Sequence, residues 1–119
     1  MSKNNKLIRD KIPELIKSGG MIPVIRILSN GELYHELFNK LLEETNEVIE
    51  SKNDFKHTLK ELADDYEVIL QLCKYMGYSI EDLINQADAK RKVLGSFDKA
   101  IYLLDMKHAP DGPFWLWKL

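Results

Sequence analysis

From residue 30 to residue 94, apolar side chains recur at three- and four-residue spacing, the period of helices that each bury one stripe. Ser29 with Glu32 forms a capping-box pattern and predicts a long helix over about 30–50, with Leu37, Leu41 and Val48 in its apolar stripe. A break at Ser51–Asp54 offers Asn53 or Asp54 as the next cap, and a second long helix runs to Met76 with Gly77 as its stop. Its main apolar stripe is Phe55, Leu59, Leu62, Tyr66, Ile69, Cys73 and Met76. A lesser stripe of Val68, Leu72 and Tyr75 lies on a different side. Ser79 and Asp82 open a third helix, 80–94, with Ile80, Leu83, Ile84 and Ala87 as its inner face and Gly95 after it. The short connection between the first two helices makes an antiparallel hairpin their natural arrangement.

On either side of this helical core the pattern changes. In KLIRDKIPELIKSGG, Asp10 is placed to cap a short helix, Pro13 suits its first turn, and Gly19 and Gly20 end it. Met21–Leu28 is short and rich in β-branched residues, which predicts a strand, with Pro23 favouring an edge. Phe97–Met106 has a strand-like centre and would pair with it as a small peripheral β ribbon. The closing Phe114, Trp115, Leu116 and Trp117 are too apolar for a solvated tail and should dock on the domain or on a partner subunit. The expected fold class is therefore all-α, an antiparallel helical hairpin plus a third helix. We read 1–119 as a single domain, with an N-terminal helix and strand at 6–28, a helical core at 30–94, a strand at 97–106 and an apolar tail at 107–119.

Composition narrows the function. The 17 basic and 19 acidic residues leave a net charge of −2 with no basic block, so neither duplex nucleic acid nor an anionic membrane is an expected partner. No leader and no apolar run near the length of a membrane span is evident, which makes a cytoplasmic location the expectation. Cys73 reads as a small core residue. His35, His57 and His108 stand apart from one another and from Cys73, which argues against zinc. There is no nucleophile motif and no glycine-rich phosphate loop.

The chemistry concentrates in two acidic groups, EETNE at 43–47 and ELAD at 61–64. Glu44 and Glu47 are three residues apart and share a helix face, as do Glu61 and Asp64. At about 100° per residue, Glu44 falls inside the apolar stripe of its own helix, Glu47 at its edge and Glu43 further out. An antiparallel hairpin brings the two pairs level. A buried carboxylate in apolar surroundings costs several kcal/mol unless it is paired or bound to a metal. Oxygen-only donors favour Mg²⁺, with Mn²⁺ as a substitute, and such a site normally works with a substrate's phosphates. The competing reading leaves these acids on a wet surface, balanced by pairs such as Glu36 with Lys40. Two basic groups have a similar double reading, as solvated helix ends or as phosphate contacts. They are Lys6 and Arg9 near the start, and Lys90, Arg91 and Lys92 in the last turns of the third helix.

These residues resemble a known family. EETNE, a thirteen-residue gap and ELAD look like the E-E-x-x-E and E-x-x-D metal signature of the all-α nucleotide pyrophosphohydrolases, of which MazG is the best-known type. NKLIRDKIPELI, IPVIRIL and LGSFDKAIYLL are similar to the MazG-like, phosphoribosyl-ATP pyrophosphohydrolase-like branch, and the match covers roughly residues 5–106. The resemblance implies a helical bundle completed by dimerisation, and Mg²⁺-dependent cleavage of a nucleoside triphosphate between its α and β phosphates. It implies Glu44, Glu47, Glu61 and Asp64 as Mg²⁺ ligands and Glu43 as a catalytic residue orienting the attacking water. It also implies phosphate contacts from Lys90, Arg91 and Lys92, and a homodimer or higher homo-oligomer. LGSF departs from the family, where a basic residue, two glycines and Phe are expected, so Val93, Leu94 and Ser96 alter that part of the pocket. The rival expectation is a catalytically reduced MazG-like module that binds nucleotide or a protein partner. A weaker one is specific hydrolysis of phosphoribosyl-ATP.

Overall fold

A computed structural model describes residues 5–107 of the chain. They form four helices: α1 (Ile12–Ser18), α2 (Asn30–Glu50), α3 (Phe55–Tyr75) and α4 (Ile80–Leu94). The fold is all-α. The apolar tail with Phe114–Trp117, and His108, lie outside the described residues. The chain divides into two compact units between Asn85 and Gln86. Among the described residues no helix is long and apolar enough to cross a membrane.

The helix ends follow local chemistry. Glu32 N–H donates to Ser29 Oγ at 3.3 Å while Ser29 N–H donates to Glu32 Oε1 at 3.0 Å, completing the capping box of α2. Asp54 Oδ1 accepts from His57 N–H at the start of α3, and Ser79 with Asp82 forms the reciprocal pair at the start of α4. Past the end of α3, Gly77 takes φ 85°, with Gly77 N–H bonded to Lys74 O and Tyr78 N–H to Cys73 O. This is a Schellman closure, which needs a residue at ease in the left-handed region. Helix α1 departs from expectation at its start: Lys11, not Asp10, is the cap residue, and no side chain caps it. Pro13 lies in its first turn, where its missing N–H leaves one fewer donor to satisfy.

Within the first unit, α2 and α3 are the helices that pack on each other. Their contacts recur at Tyr34/Tyr75, Thr45/Asp65 and Ser51/Thr58, the falling register of an antiparallel hairpin. The connection fixes that register. Thr58 Oγ1 donates to Ser51 O at 2.6 Å, and the buried Ser51 donates to Val48 O at 2.8 Å. The core is small: Leu37 against Val68 and Leu72, with Leu7, Leu33 and Leu41 packed around them. Cys73 is buried, as expected of a core residue.

The inward side of α3 is the lesser stripe of Val68 and Leu72. The larger one is turned outward over most of its length, with Phe55 87% and Leu59 69% exposed. Hydropathy ranks stripes by apolar content, whereas the hairpin register selects the face that carries Glu61, Asp64, Val68 and Leu72. Among the described residues no strand forms at 21–28 or at 97–106. Val24 is 97% exposed and Ile27 89%. β-branched residues favour extended backbone, but a strand exists only when a neighbouring edge takes up its hydrogen bonds. Arg26 instead ties the first segment to α2, its Nη2 meeting Glu32 Oε2 at 2.6 Å. In the second unit, Gly95 N–H closes α4 onto Arg91 O, and a turn joins Ala100 N–H to Phe97 O.

Leu72→Ala should cost about 2–4 kcal/mol in chemical denaturation, because the cavity opens beside Leu37 in a core of few residues. The Arg26 guanidinium, then the Ser29 backbone and hydroxyl, hold the Glu32 carboxyl at about 2. The stabilisation from that depressed carboxyl is complete above its ordinary 4.5 and is lost as pH falls through about 2. A carboxyl NMR titration of Glu32 should give a midpoint near 2. An ordinary midpoint would mean that the Arg26 pair does not form in solution.

Candidate metal centre

The register that pairs α2 with α3 sets Glu44 opposite Glu61 and Asp64. One carboxylate oxygen from each of the three lies within 4.8 Å of the others. Glu44 is 7% exposed, in line with Leu37 on the inner face of α2. Asp64 and Glu61 stand one and two turns before Val68 on the inner face of α3. The acids and the core thus share one helix interface.

Cations surround the triad without filling it. Lys40 Nζ lies 2.7 Å from Glu43 Oε2 and 3.3 Å from Glu44 Oε1, with its side chain only 15% exposed. Arg9 Nη2 donates to Asp64 Oδ1 at 2.8 Å, and Lys6 Nζ is 3.8 Å from Glu43 Oε1. His57 Nε2 meets Glu61 Oε1 at 2.9 Å. Glu44 Oε2 and Glu61 Oε2 remain buried with no hydrogen-bond partner. Burial, then the neighbouring Glu47 carboxylate, pushes the Glu44 carboxyl above its ordinary value against the pull of Lys40. Burial also pulls Lys40 down, yet Glu43 and Glu44 outweigh it and leave the ammonium above its usual value.

Of the expected ligands, then, Glu44, Glu61 and Asp64 come together. Glu47 adjoins Glu44 but is exposed and lies outside the triad. Glu43 sits beside it, held by Lys40. Lys6 and Arg9 reach the acids directly. Lys90, Arg91 and Lys92 are exposed residues of the second unit, where Arg91 Nη1 donates to Asp88 at 2.7 Å.

Neither a protein-family model nor a solved structure matches the chain. It is similar to an uncharacterised protein of Mycolicibacterium smegmatis, 51% identical over 43 residues. That stretch spans 36% of this chain and 44% of the relative, less than half of the relative's own length.

Sequence reasoning missed three participants. Lys40 was paired with Glu36, four residues before it, although Glu43 and Glu44 at i+3 and i+4 were equally open to it. His57 was weighed only as a zinc ligand, and its i,i+4 spacing to Glu61 was the available signal. Asp65 accepts from Thr45 Oγ1 at 3.2 Å through one oxygen, while its other oxygen is buried without a partner. Helix spacing places Asp65 with Glu61 and Asp64 above the stripe of Val68 and Leu72, but nothing in the local sequence marks its bond to Thr45.

An all-oxygen donor set with orphaned buried oxygens suits a hard divalent cation better than a further hydrogen-bond donor. In chelator, Glu44→Gln should leave the melting temperature equal to or above that of the wild type, since it removes a charge from a buried like-charged group. Added Mg²⁺ or Mn²⁺ should raise the wild-type melting temperature and leave Glu44→Gln unmoved. Equal shifts in both proteins would exclude Glu44 from cation binding.

Proposed function

We propose that the protein is a Mg²⁺-dependent nucleoside triphosphate pyrophosphohydrolase, cleaving between the α and β phosphates to give a monophosphate and pyrophosphate. The observation that carries this reading is the convergence of Glu44, Glu61 and Asp64, with two buried oxygens left unpartnered. The resemblance of EETNE and ELAD to the MazG-like signature supports it. Glu44, Glu61 and Asp64 would hold Mg²⁺, or Mn²⁺ in its place, with Glu47 adjacent. The ion would offset charge on the phosphates. Glu43, oriented by Lys40, is the carboxylate next to the triad and would orient the attacking water. Lys6 and Arg9, with Lys90, Arg91 and Lys92, would supply phosphate contacts.

The reading includes a homodimer or higher homo-oligomer in a cytoplasmic setting. The outward stripe of α3, with Phe55, Leu59, Leu62 and Tyr66, is what such an assembly would bury. The β ribbon of 21–28 with 97–106 belongs to the same proposal. The stripe also suits a second reading, a helical module that binds nucleotide or a protein partner without turnover.

The deciding assay is pyrophosphate release from a panel of nucleoside triphosphates with Mg²⁺. Release from at least one is expected, reduced roughly 100-fold or more by Glu44→Gln or Asp64→Asn in variants that remain folded. Undiminished release in both variants would remove these acids from the reaction. Thermal stabilisation by nucleotide with no release would decide for the second reading. Sedimentation of the wild type and of Leu59→Glu tests the assembly: the variant should sediment as a monomer, and a monomeric wild type would overturn the dimer.

A further inference from the structure

The residues from Lys6 to Lys11 form an arm that crosses the acidic site, and little holds it there. Leu7 packs at the edge of the core, and a turn from Ile12 N–H to Arg9 O sets Arg9 just ahead of α1. Helix α1 packs on no other helix of its unit. What remains is two ion pairs, Arg9 with Asp64 at 2.8 Å and Lys6 with Glu43 at 3.8 Å. The first joins side chains that are 55% and 44% exposed. An ion pair so exposed contributes little and is readily exchanged. Beside it, between the arm and α2, lies a cleft of about 220 Å³ with Lys6 and Lys40 among its walls.

Charge accounting around the triad points to a use for this arrangement. Five carboxylates, from Glu43, Glu44, Glu47, Glu61 and Asp64, are met by three cations, Lys6, Arg9 and Lys40. The acids outnumber the Lys and Arg side chains that meet them, a shortfall that a divalent ion would reduce. With that ion present, every Lys or Arg touching the group is still committed to a carboxylate. A polyanionic substrate can then gain a partner only by drawing one of them away. Lys40 is held by two acids on a rigid helix and is nearly enclosed. Arg9 has a single, exposed partner on a loosely held arm.

We propose that Arg9 is an exchangeable counter-ion: a divalent cation at the triad displaces it from Asp64, and the freed guanidinium binds the triphosphate, drawing the arm over the site. This rests on the cation site proposed above. A divalent ion on Asp64 offsets the charge that attracts Arg9, and the planar fork of donors on Arg9 fits phosphate oxygens as well as a carboxylate. Leu7 keeps the arm tethered while Arg9 changes partner. Cation and substrate would then bind in order, because the ion releases the group that the phosphates need.

The test compares full-length wild type, Arg9→Ala and Arg9→Lys by calorimetric titration with Mn²⁺ alone, then with inorganic triphosphate at saturating Mn²⁺. Loss of a competitor should make Arg9→Ala bind Mn²⁺ about two- to fivefold more tightly, the equivalent of one exposed ion pair. The same variant should bind triphosphate about tenfold more weakly, with Arg9→Lys recovering part of that loss. In the wild type, hydrogen exchange of residues 6–11 should quicken with Mn²⁺ and slow again when triphosphate is added. Unchanged or weaker Mn²⁺ binding in Arg9→Ala would overturn the exchange, since Arg9 would then be orienting Asp64 for the ion. Unchanged triphosphate affinity would overturn the second half. If Mn²⁺ binding is lost in Glu44→Gln but unaltered in Arg9→Ala, the exchange alone fails. If the wild type binds no Mn²⁺, the cation site fails with it.

Discussion

The constraint on which this protein turns is a carboxylate inside a helix interface. Glu44 occupies a position on α2 that an apolar residue would fill at no electrostatic cost, level with two acids on α3. Burial disfavours its charge and Glu47 repels it, while Lys40 satisfies only one of its oxygens. Such a position weakens a small hairpin. An acidic residue there is intelligible if the interface has work beyond holding two helices together.

The rest of the first unit serves that interface. Its apolar core is confined to Leu37, Val68, Leu72 and Cys73 with a few half-buried neighbours, so packing alone has limited means to fix the register. The hydroxyls of Ser51 and Thr58 supply what packing does not. They clamp the connection at one end, and the Tyr34 and Tyr75 rings, 4.7 Å apart, stack at the other. The acids lie between two fixed ends of the hairpin. A slip of one residue along α3 would rotate its acids by about 100° and separate the triad.

The cations divide by burial. Lys40 belongs to the helix that carries Glu43 and Glu44 and is largely enclosed. Arg9 and Lys6 come from an irregular arm and remain half in water. Charges of one sign thus stand near the acids with different exposure to water.

Much of the fold was legible because its signals are local. Ser29 with Glu32, Asp54, Ser79 with Asp82, Gly77 and Gly95 bond within a few residues of themselves, so the bounds of α2, α3 and α4 follow from the chain alone. The coming together of Glu44 with Glu61 and Asp64 was legible too, since helix spacing and a short connection leave little choice of register. What tertiary structure decided was which way α3 faces. Phe55, Leu59 and Leu62 stay exposed although their stripe is the richer in apolar residues, while the clamp at Ser51 and Thr58 holds Val68 and Leu72 inward. Pairing of 21–28 with 97–106 is likewise not a local matter, because strand formation depends on an edge elsewhere that no local pattern encodes. Arg9 at Asp64 and Lys40 between Glu43 and Glu44 were likewise settled only in three dimensions, where a side chain's partner is chosen by reach and burial.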